Sequence, residues 1–325
     1  MQGVLLAAGK GTRLQPLTLV RSKAMAPVAG RPLAGRVADL LVAQGVEELI
    51  VVVGPDDEEV QPFFARRASL GIPVRFVVQG ERKGMAHALG LAAALLHGDF
   101  IMSACDNLVP PAHLSEMVAA HRQHKAAATL SLMPIDISQS SKTGIVAWDA
   151  PFVRRIVEKP KPEDAPSNIS SLPLYLFSPE VLEMLPLVQP SPRGEYEVQD
   201  AIQLLIERTG RVTGVLTETR QQVTNAADLL SLNLHYLDES PGAIRCESPL
   251  PEDVKLIAPV IIEAGAAIGS GCVLGPRVYV EAGATIGAGA VVADTLVLRG
   301  AEVSPGAYIH GEVAAPMPAF APKKE

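Results

Sequence analysis

Aromatic side chains make up only 4% of the chain, with a single tryptophan. The core must therefore be built from Ala, Val, Leu and Gly. At 48% apolar residues there is enough material for one, which excludes wholesale disorder. Cysteine is scarce too. Cys105, Cys246 and Cys272 are odd in number, far apart and not at metal-ligand spacing. That excludes a disulfide framework and points to a reducing compartment. Excess positive charge is also missing. The net charge of −7 excludes a general nucleic-acid binder, whose affinity rests on Lys and Arg neutralising phosphates. A nucleotide site, needing only a few local cations, remains open. No apolar run approaches the roughly 20 residues of a membrane helix. The apolar start from Met1 to Ala8 has no basic region before it, as a targeting signal would. A cytoplasmic protein with neither nucleic-acid nor membrane partner is expected.

What is present is alternation. Short apolar runs at 3–8, 49–53, 74–78, 100–104 and 128–133 read as strands. Between them, 32–43, 57–69, 84–96 and 112–124 read as helices. In the first helix Leu33, Val37, Leu40 and Leu41 share a face, Pro32 suits the first turn and Gly45 lies just past the end. Continuous apolar strands alternating with helices predict an α/β domain with a Rossmann-like, mostly parallel sheet covered on both faces. In such sheets ligands bind at the carboxyl ends of strands. The glycines after the first strand and Asp106 after the fourth both fall there.

Beyond residue 134 the pattern turns antiparallel, with strands at 145–148, 153–158 and 172–177 and helices at 179–185 and 196–208. From 256 onward apolar residues recur every six: Leu256, Ile262, Ile268, Leu274, Val280, Ile286, Val292 and Leu298. Small or apolar residues follow four later, from Val260 and Ala266 to Ala290 and Leu296, and after one slip the phase resumes at Val303 and Ile309. A hexapeptide repeat of this kind predicts a short left-handed parallel β-helix of roughly three coils. The expected division is a domain over 1–240 and the β-helix over 241–325. An exposed end coil needs a partner or a cap. A homo-oligomer is therefore expected, with the Pro-rich tail at 316–322 as the candidate cap.

The most informative stretch is Leu5-Leu6-Ala7-Ala8-Gly9-Lys10-Gly11-Thr12-Arg13-Leu14-Gln15-Pro16-Leu17-Thr18. Glycines just after a strand let backbone N–H groups approach phosphate oxygens, and Arg13 can bind phosphate in bidentate fashion. It is neither a Walker A loop nor a dinucleotide fingerprint, because Leu14 stands where the third glycine belongs. Alone, it reads first as an ordinary glycine-rich turn between strand and helix.

Its company narrows the reading. Gly9 to Thr18 followed by Ser22-Lys23-Ala24-Met25 and Gly30-Arg31-Pro32-Leu33 closely resembles the opening of the sugar-1-phosphate nucleotidyltransferases, the glucose-1-phosphate thymidylyl- and uridylyltransferases among them. The resemblance implies a nucleoside triphosphate held by Leu6, Ala8, Gly9, Gly11, Thr12 and Arg13, with Arg13 and Lys23 stabilising the departing pyrophosphate. Gln79 to Ala88 is similar to the family's base-reading segment, which gives base contact to Gln79 and Gly84. Cys105-Asp106-Asn107 is similar to its GDN, which makes Asp106 a Mg²⁺ ligand. Gly144-Ile145-Val146 and Val157-Glu158-Lys159-Pro160 resemble its sugar-binding strands. Glu158 would hold sugar hydroxyls and Lys159 the sugar phosphate. Neighbours on a strand point to opposite faces, so a bend near Pro160 is needed for both to reach one pocket. Asn168 and Arg193-Gly194-Glu195-Tyr196-Glu197-Val198-Gln199-Asp200 resemble two further segments, with Asn168 and Glu195 as sugar contacts.

Three departures stand out. Ser22 replaces the proline before the lysine. Gln222 replaces the second metal aspartate, and Val223-Thr224-Asn225 resembles instead the VNN form of uridylyltransferases acting on N-acetylglucosamine 1-phosphate, making Asn225 the second metal candidate. Pro173 replaces a glycine of the sugar pocket. The implied reaction is attack of a sugar 1-phosphate, glucose 1-phosphate by default, on the α-phosphorus of dTTP or UTP. Two rivals remain: a regulatory subunit with a degenerate site, favoured by Pro173, Gln222 and Met85, which stands where the base-reading segment usually has threonine, and a bifunctional enzyme whose β-helix transfers acyl groups.

Overall fold

The computed structural model describes residues 1–9, 11–15, 17–19, 21–66 and 70–316, without the side chains of Arg13 and Leu19. They group into two compact units that interleave along the chain: Met1–Lys10 with Ala34–Gln222, and Gly11–Leu33 with Val223–Glu325. The border expected at residue 240 follows the change in sequence pattern, whereas the observed units divide the chain by packing.

The chain begins with β1 (Gln2–Leu6) and passes through the hairpin β2 (Pro27–Val28) and β3 (Arg31–Pro32). It continues with α1 (Leu33–Ala43), β4 (Glu48–Val53), α2 (Val60–Ala65), β5 (Val74–Val78), α3 (Met85–Ala92), β6 (Phe100–Ala104), β7 (Asn107–Leu108), α4 (Pro111–Gln123) and β8 (Ala128–Pro134). Then come β9 (Gly144–Asp149), β10 (Phe152–Glu158), β11 (Ile169–Phe177), α5 (Glu180–Met184), α6 (Val198–Thr209), β12 (Val212–Leu216), β13 (Gln221–Gln222) and α7 (Ala226–Asp238).

The first unit is built on a nine-stranded sheet ordered β5-β4-β1-β6-β11-β8-β12-β10-β9. Its first four strands are mutually parallel, as strand–helix alternation implies. Beyond β6 it is mixed: β11 runs antiparallel to both β6 and β8, and only β8 and β12 are parallel. The middle of the sheet is covered on both faces, which is why Leu49 to Val53 is an unbroken buried apolar run. In α1, Leu33, Val37 and Leu41 are fully buried, one turn apart. The helix stops where Gly45, at φ 83°, donates its N–H to Val42.

Besides the two-residue strands β2, β3, β7 and β13, two longer elements escape the periodicity reading. Strand β12 carries Gly214 at its centre, which weakens its apolar signal. That glycine is required, because a Cβ there would sit 2.3 Å from Leu132 Cδ1 on the neighbouring strand. Helix α7 has polar residues mixed through its length and is held by the Asn225 cap described below.

In the second unit the repeat folds into three parallel walls. One stacks Ile244–Cys246, Val260–Ile262, Val278–Val280, Thr295–Val297 and Val313–Ala314. The second stacks Lys255–Leu256, Val273–Leu274, Val291–Ala293 and Tyr308–His310, and the third Ala267–Ile268, Thr285–Ile286 and Glu302–Val303. Stacks of five, four and three strands exceed the roughly three coils read from the repeat. The coil already starts at Ile244, in a turn that does not keep the six-residue phase. The register also relocates the slip. Val280 pairs with Val297 and Val278 with Thr295, so Val297 rather than Leu298 fills the inward position, and Thr295 rather than Leu296 the one before it. The buried Thr295 hydroxyl is satisfied by the Ala293 carbonyl at 2.6 Å.

Candidate active site

Strands β1 and β6 are neighbours, and Cys105 donates its N–H to Leu6 at 3.1 Å. The chain leaving β1 through half-buried Leu6, Ala7, buried Ala8 and Gly9 and the turn carrying Asp106 therefore emerge side by side at the carboxyl edge. Gly9 is exposed, and a Cβ there would meet nothing within 4 Å. The Ala8 carbonyl accepts a 2.6 Å hydrogen bond from Arg82 Nε, and Arg82 is itself paired with Asp56. A guanidinium thus fixes the turn from outside the glycine pattern.

Gln79 follows β5 at the same edge and is buried. Its Nε2 donates to the Gly84 carbonyl at 3.0 Å and lies 3.1 Å from His87 Nδ1. Gly84 precedes α3 at φ 96°, and a Cβ on it would sit 2.5 Å from the Tyr196 carbonyl oxygen. That oxygen accepts from Ala86 N, and Tyr196 N donates to Lys83 O, so the loop is stitched on both sides of the glycine. No side chain fits there.

Asp106 is buried at the end of β6. Pairing of β7 with β13 sets Gln222 opposite Asn107, so the family's second-aspartate position stands directly beside the GDN-like turn, with an amide in place of a carboxylate. Asn107 is fully buried, and neither its Oδ1 nor its Nδ2 has a hydrogen-bond partner. Arg220, two residues before Gln222, is drawn below its ordinary pKa by burial, against the opposing pull of Asp106 and Tyr175.

The residues expected to contact the sugar converge most closely. Lys159 adopts φ 48°, a left-handed backbone rarely used by residues with side chains. This supplies the expected bend, at Lys159 itself rather than at Pro160. It swings the ammonium back so that Nζ lies 3.2 Å from Glu158 Oε1. Gly144 pairs with Glu158 across β9 and β10, and a Cβ there would come within 3.2 Å of Glu158 Oε2. Glu158 Oε2, Gln199 Oε1 and Ser171 Oγ are buried without partners. Burial raises the Glu158 pKa, against the lowering effect of Lys159 and Arg193. Burial likewise pushes up the Tyr175 phenol, which receives a 3.5 Å hydrogen bond from Gln199 Nε2.

Glu195 is half-exposed, its carboxylate 3.9 Å from Arg193. The buried carboxylate of that segment is Glu197, which accepts from Arg193 Nη2 at 2.6 Å and Ser191 Oγ at 3.0 Å. Asn168 is exposed just before β11, where its carbonyl accepts from Ile135 N, and it lies outside the buried cluster. The register of β11 breaks between Ser171 and Tyr175, around Pro173, which has no N–H to give to a neighbouring strand.

The second unit holds the remaining positions. Gly11 is left-handed at φ 62°, and a Cβ there would lie 2.8 Å from Lys23 Cβ, so the loop lies directly on the stem of the half-buried lysine. Thr12 is exposed and begins a 3₁₀ turn, Thr12–Leu14; the Arg13 side chain lies outside the described residues. Asn225 is exposed and caps α7, its Oδ1 accepting from Asp228 N at 2.9 Å, while Asp228 Oδ2 accepts from Thr224 N at 2.7 Å. The structure thus gives the Asn225 oxygen a helix-capping role. Sequence reasoning missed Arg193, Glu197, Gln199, Ser171, Tyr175 and Arg220. Their common signal is polarity inside otherwise apolar or motif-like segments.

A parallel sheet half with a glycine turn and a buried aspartate at its carboxyl edge, beside a buried polar pocket, defines an α/β enzyme that handles phosphorylated ligands. A model of the nucleotidyl transferase family matches residues 2–239, and one described as GMPPB C-terminal domain matches residues 256–315. UTP–glucose-1-phosphate uridylyltransferase AglF of Haloferax volcanii is 40% identical over 212 residues, 65% of this chain and 85% of that protein. A glucose-1-phosphate thymidylyltransferase of Streptomyces griseus is 31% identical over 281 residues, 86% and 77% respectively. The solved structure of UDP-glucose pyrophosphorylase complexed with UDP-glucose matches with a TM-score of 0.64 at 22% identity, over 73% of this chain and 98% of that one, a likeness of fold. The chain belongs to the nucleotidyl transferase family and is a sugar-1-phosphate nucleotidyltransferase.

Proposed function

We propose that the enzyme joins UTP or dTTP to glucose 1-phosphate, giving the nucleoside diphosphate sugar and pyrophosphate. The observation that carries the reading is the set of unpartnered buried atoms around Gly144. Glu158 Oε2, Gln199 Oε1 and Ser171 Oγ form a small patch of unsatisfied polarity next to the Lys159 ammonium. Buried polar groups are rarely left unpaired, and a polyhydroxylated ligand with a phosphate would satisfy both parts. Glu158, Gln199 and Ser171 receive the sugar, and Lys159 takes the phosphate. Glu195 and Asn168 are secondary here, since they stand outside the buried set. For the base, Gln79 Nε2 is already committed to the Gly84 carbonyl, which leaves its amide oxygen as the group that would accept from a ligand. Uracil and thymine offer an N3–H there. The identity of 40% to a uridylyltransferase supports UTP as the first substrate to test.

The sugar-phosphate oxygen attacks the α-phosphorus, the bond to the β-phosphate oxygen breaks, and pyrophosphate leaves with the electron pair. No protein nucleophile takes part, and the residues act by position and charge. Arg13 and Lys23 neutralise the leaving group, and Lys159 aligns the attacking phosphate. Among the described residues no group of three carboxylate, histidine or cysteine side chains is placed to hold a metal ion by itself. The buried Asp106 carboxylate therefore fits a cation that takes one protein carboxylate and fills its shell with phosphate and water, as Mg²⁺ does. When bound, Mg²⁺ would supply charge neutralisation to the triphosphate. We assign Asp106 as its ligand, with Gln222 beside it and Asn225 as a helix cap.

We give the β-helix, taken as left-handed, a scaffolding and assembly role in a cytoplasmic homo-oligomer. His310, its sole histidine, is paired with Asp294 at 3.0 Å. The cap expected from 316–322 falls almost entirely outside the described residues. Arg13→Ala and Asp106→Asn should each lower turnover by at least about 100-fold with the fold intact. Near wild-type pyrophosphate release from either variant would refute its assignment.

A further inference from the structure

The lysine loop and the β-helix lie in one compact unit, and a buried ion pair joins them. Arg21 Nη1 and Nη2 donate to Glu281 Oε1 and Oε2 at 2.8 and 2.9 Å, a bidentate pair spanning 260 residues of sequence, with both side chains buried. Glu281 follows the wall strand Val278–Val280. It is one of three glutamates, with Glu247 and Glu263, each standing one residue past a strand of that wall. Each has its own partner. Glu247 pairs with Arg245 at 3.2 Å, and Glu263 accepts from Tyr279 OH at 2.7 Å and Ala282 N at 3.1 Å. Glu281 also accepts from Arg299 N at 2.8 Å, which fixes the carboxylate in the coil before it receives Arg21.

Arg21 lies two residues before Lys23. Ser22 between them caps the 3₁₀ turn Lys23–Met25, its Oγ accepting from Ala24 N at 3.3 Å. Gly11 packs on the lysine stem, and Thr18 Oγ1 donates to the Gly11 carbonyl at 2.9 Å. The far side of the loop is held as well. Asn233 of α7 accepts from Ala29 N at 2.7 Å and donates to Pro27 O at 3.0 Å. Helix α7 in turn packs on the wall strands Val278–Val280 and Thr295–Val297.

We propose that Glu281 is a positioning residue for the transfer reaction. Through Arg21 it sets the backbone from which Lys23 reaches the departing pyrophosphate, so the β-helix is part of the catalytic apparatus rather than an assembly module alone. The inference rests on the proposed role of Lys23. A merely structural ion pair would change stability and nothing else. A positioning pair changes the handling of pyrophosphate selectively.

The test uses the full chain and measures both directions of the reaction. Glu281→Gln keeps the shape and removes the charge, Arg21→Lys keeps the charge and loses the bidentate fork, and the double variant closes the cycle. For Glu281→Gln we expect kcat to fall about 10- to 100-fold, because small misplacements of a catalytic group cost that much. The KM for pyrophosphate in the reverse reaction should rise, while the KM for sugar 1-phosphate stays within about twofold of wild type. Arg21→Lys should retain intermediate turnover, and the double variant should be no worse than Glu281→Gln. Melting curves and circular dichroism report folding. Should Glu281→Gln not fold, Asn233→Ala, which loosens the other end of the loop, is expected to give the same selective change. Lower melting temperature with unaltered kcat and pyrophosphate KM would overturn the proposal. So would equal losses for both substrates. Failure of the wild-type enzyme to release pyrophosphate with any substrate pair would instead overturn the reading on which it rests.

Discussion

Single residues at the proposed sugar end trade stability for function. Lys159 holds a left-handed backbone that costs of the order of 1–3 kcal/mol for a residue with a Cβ, and gains from it an ammonium beside Glu158. Glu158 carries the second cost. Its pKa is raised chiefly by burial, so its contribution to stability is fully present below the unfolded carboxylate value and is lost as pH rises through the folded one. Glu158→Gln should therefore raise the melting temperature of the free protein at pH 8 more than at pH 4, while abolishing saturation by sugar 1-phosphate. An equal shift at both pH values would contradict this account of the site. The Glu158-Lys159 pair was legible in the sequence because it sits in a motif. Glu197 was not. It lies two residues beyond Glu195 in the same acidic segment, and only the contacts of Arg193 and Ser191 distinguish the buried carboxylate from the half-exposed one.

Among the elements, periodic ones were legible and interrupted ones were not. The four parallel strands and α1 follow from apolar runs and a shared helical face. Strand β12 was hidden by Gly214, and the slip in the β-helix falls one repeat earlier than expected, between Val292 and Val297, because Leu296 and Leu298 are as apolar as the positions they flank. Only cross-wall register assigns the inward places to Thr295 and Val297. Turns carry testable weight here. Gly275 has φ 117°, and a Cβ on it would lie 1.8 Å from the Ile257 carbonyl oxygen of the adjoining coil. Gly275→Ala should destabilise the second unit by more than about 1 kcal/mol, read as a lower urea midpoint. Gly84→Ala, which drives a methyl into the Tyr196 backbone, should raise the KM for the triphosphate at least about tenfold, because it displaces the partner of Gln79. Unchanged triphosphate KM would separate Gln79 from base recognition.

At the scale of the whole molecule, packing groups the chain into two interleaved units. That was not legible, since the contacts that bind residues 11–33 to α7 and to the β-helix join positions more than 200 apart and leave no local period. A net charge of −7 argues against a general nucleic-acid binder and leaves room for a nucleotide site, which needs only a few local cations. The central claim is that a pyrimidine nucleoside triphosphate and a hexose 1-phosphate meet at Asp106 and Lys159. The most direct measurement is pyrophosphate release by the full chain over UTP, dTTP, CTP, ATP and GTP, each with glucose 1-phosphate, galactose 1-phosphate and N-acetylglucosamine 1-phosphate, in Mg²⁺ and in its absence. The expected result is Mg²⁺-dependent release with UTP or dTTP and glucose 1-phosphate, abolished in Asp106→Asn and Lys159→Ala. Release confined to purine triphosphates, or release that survives both substitutions, would contradict it.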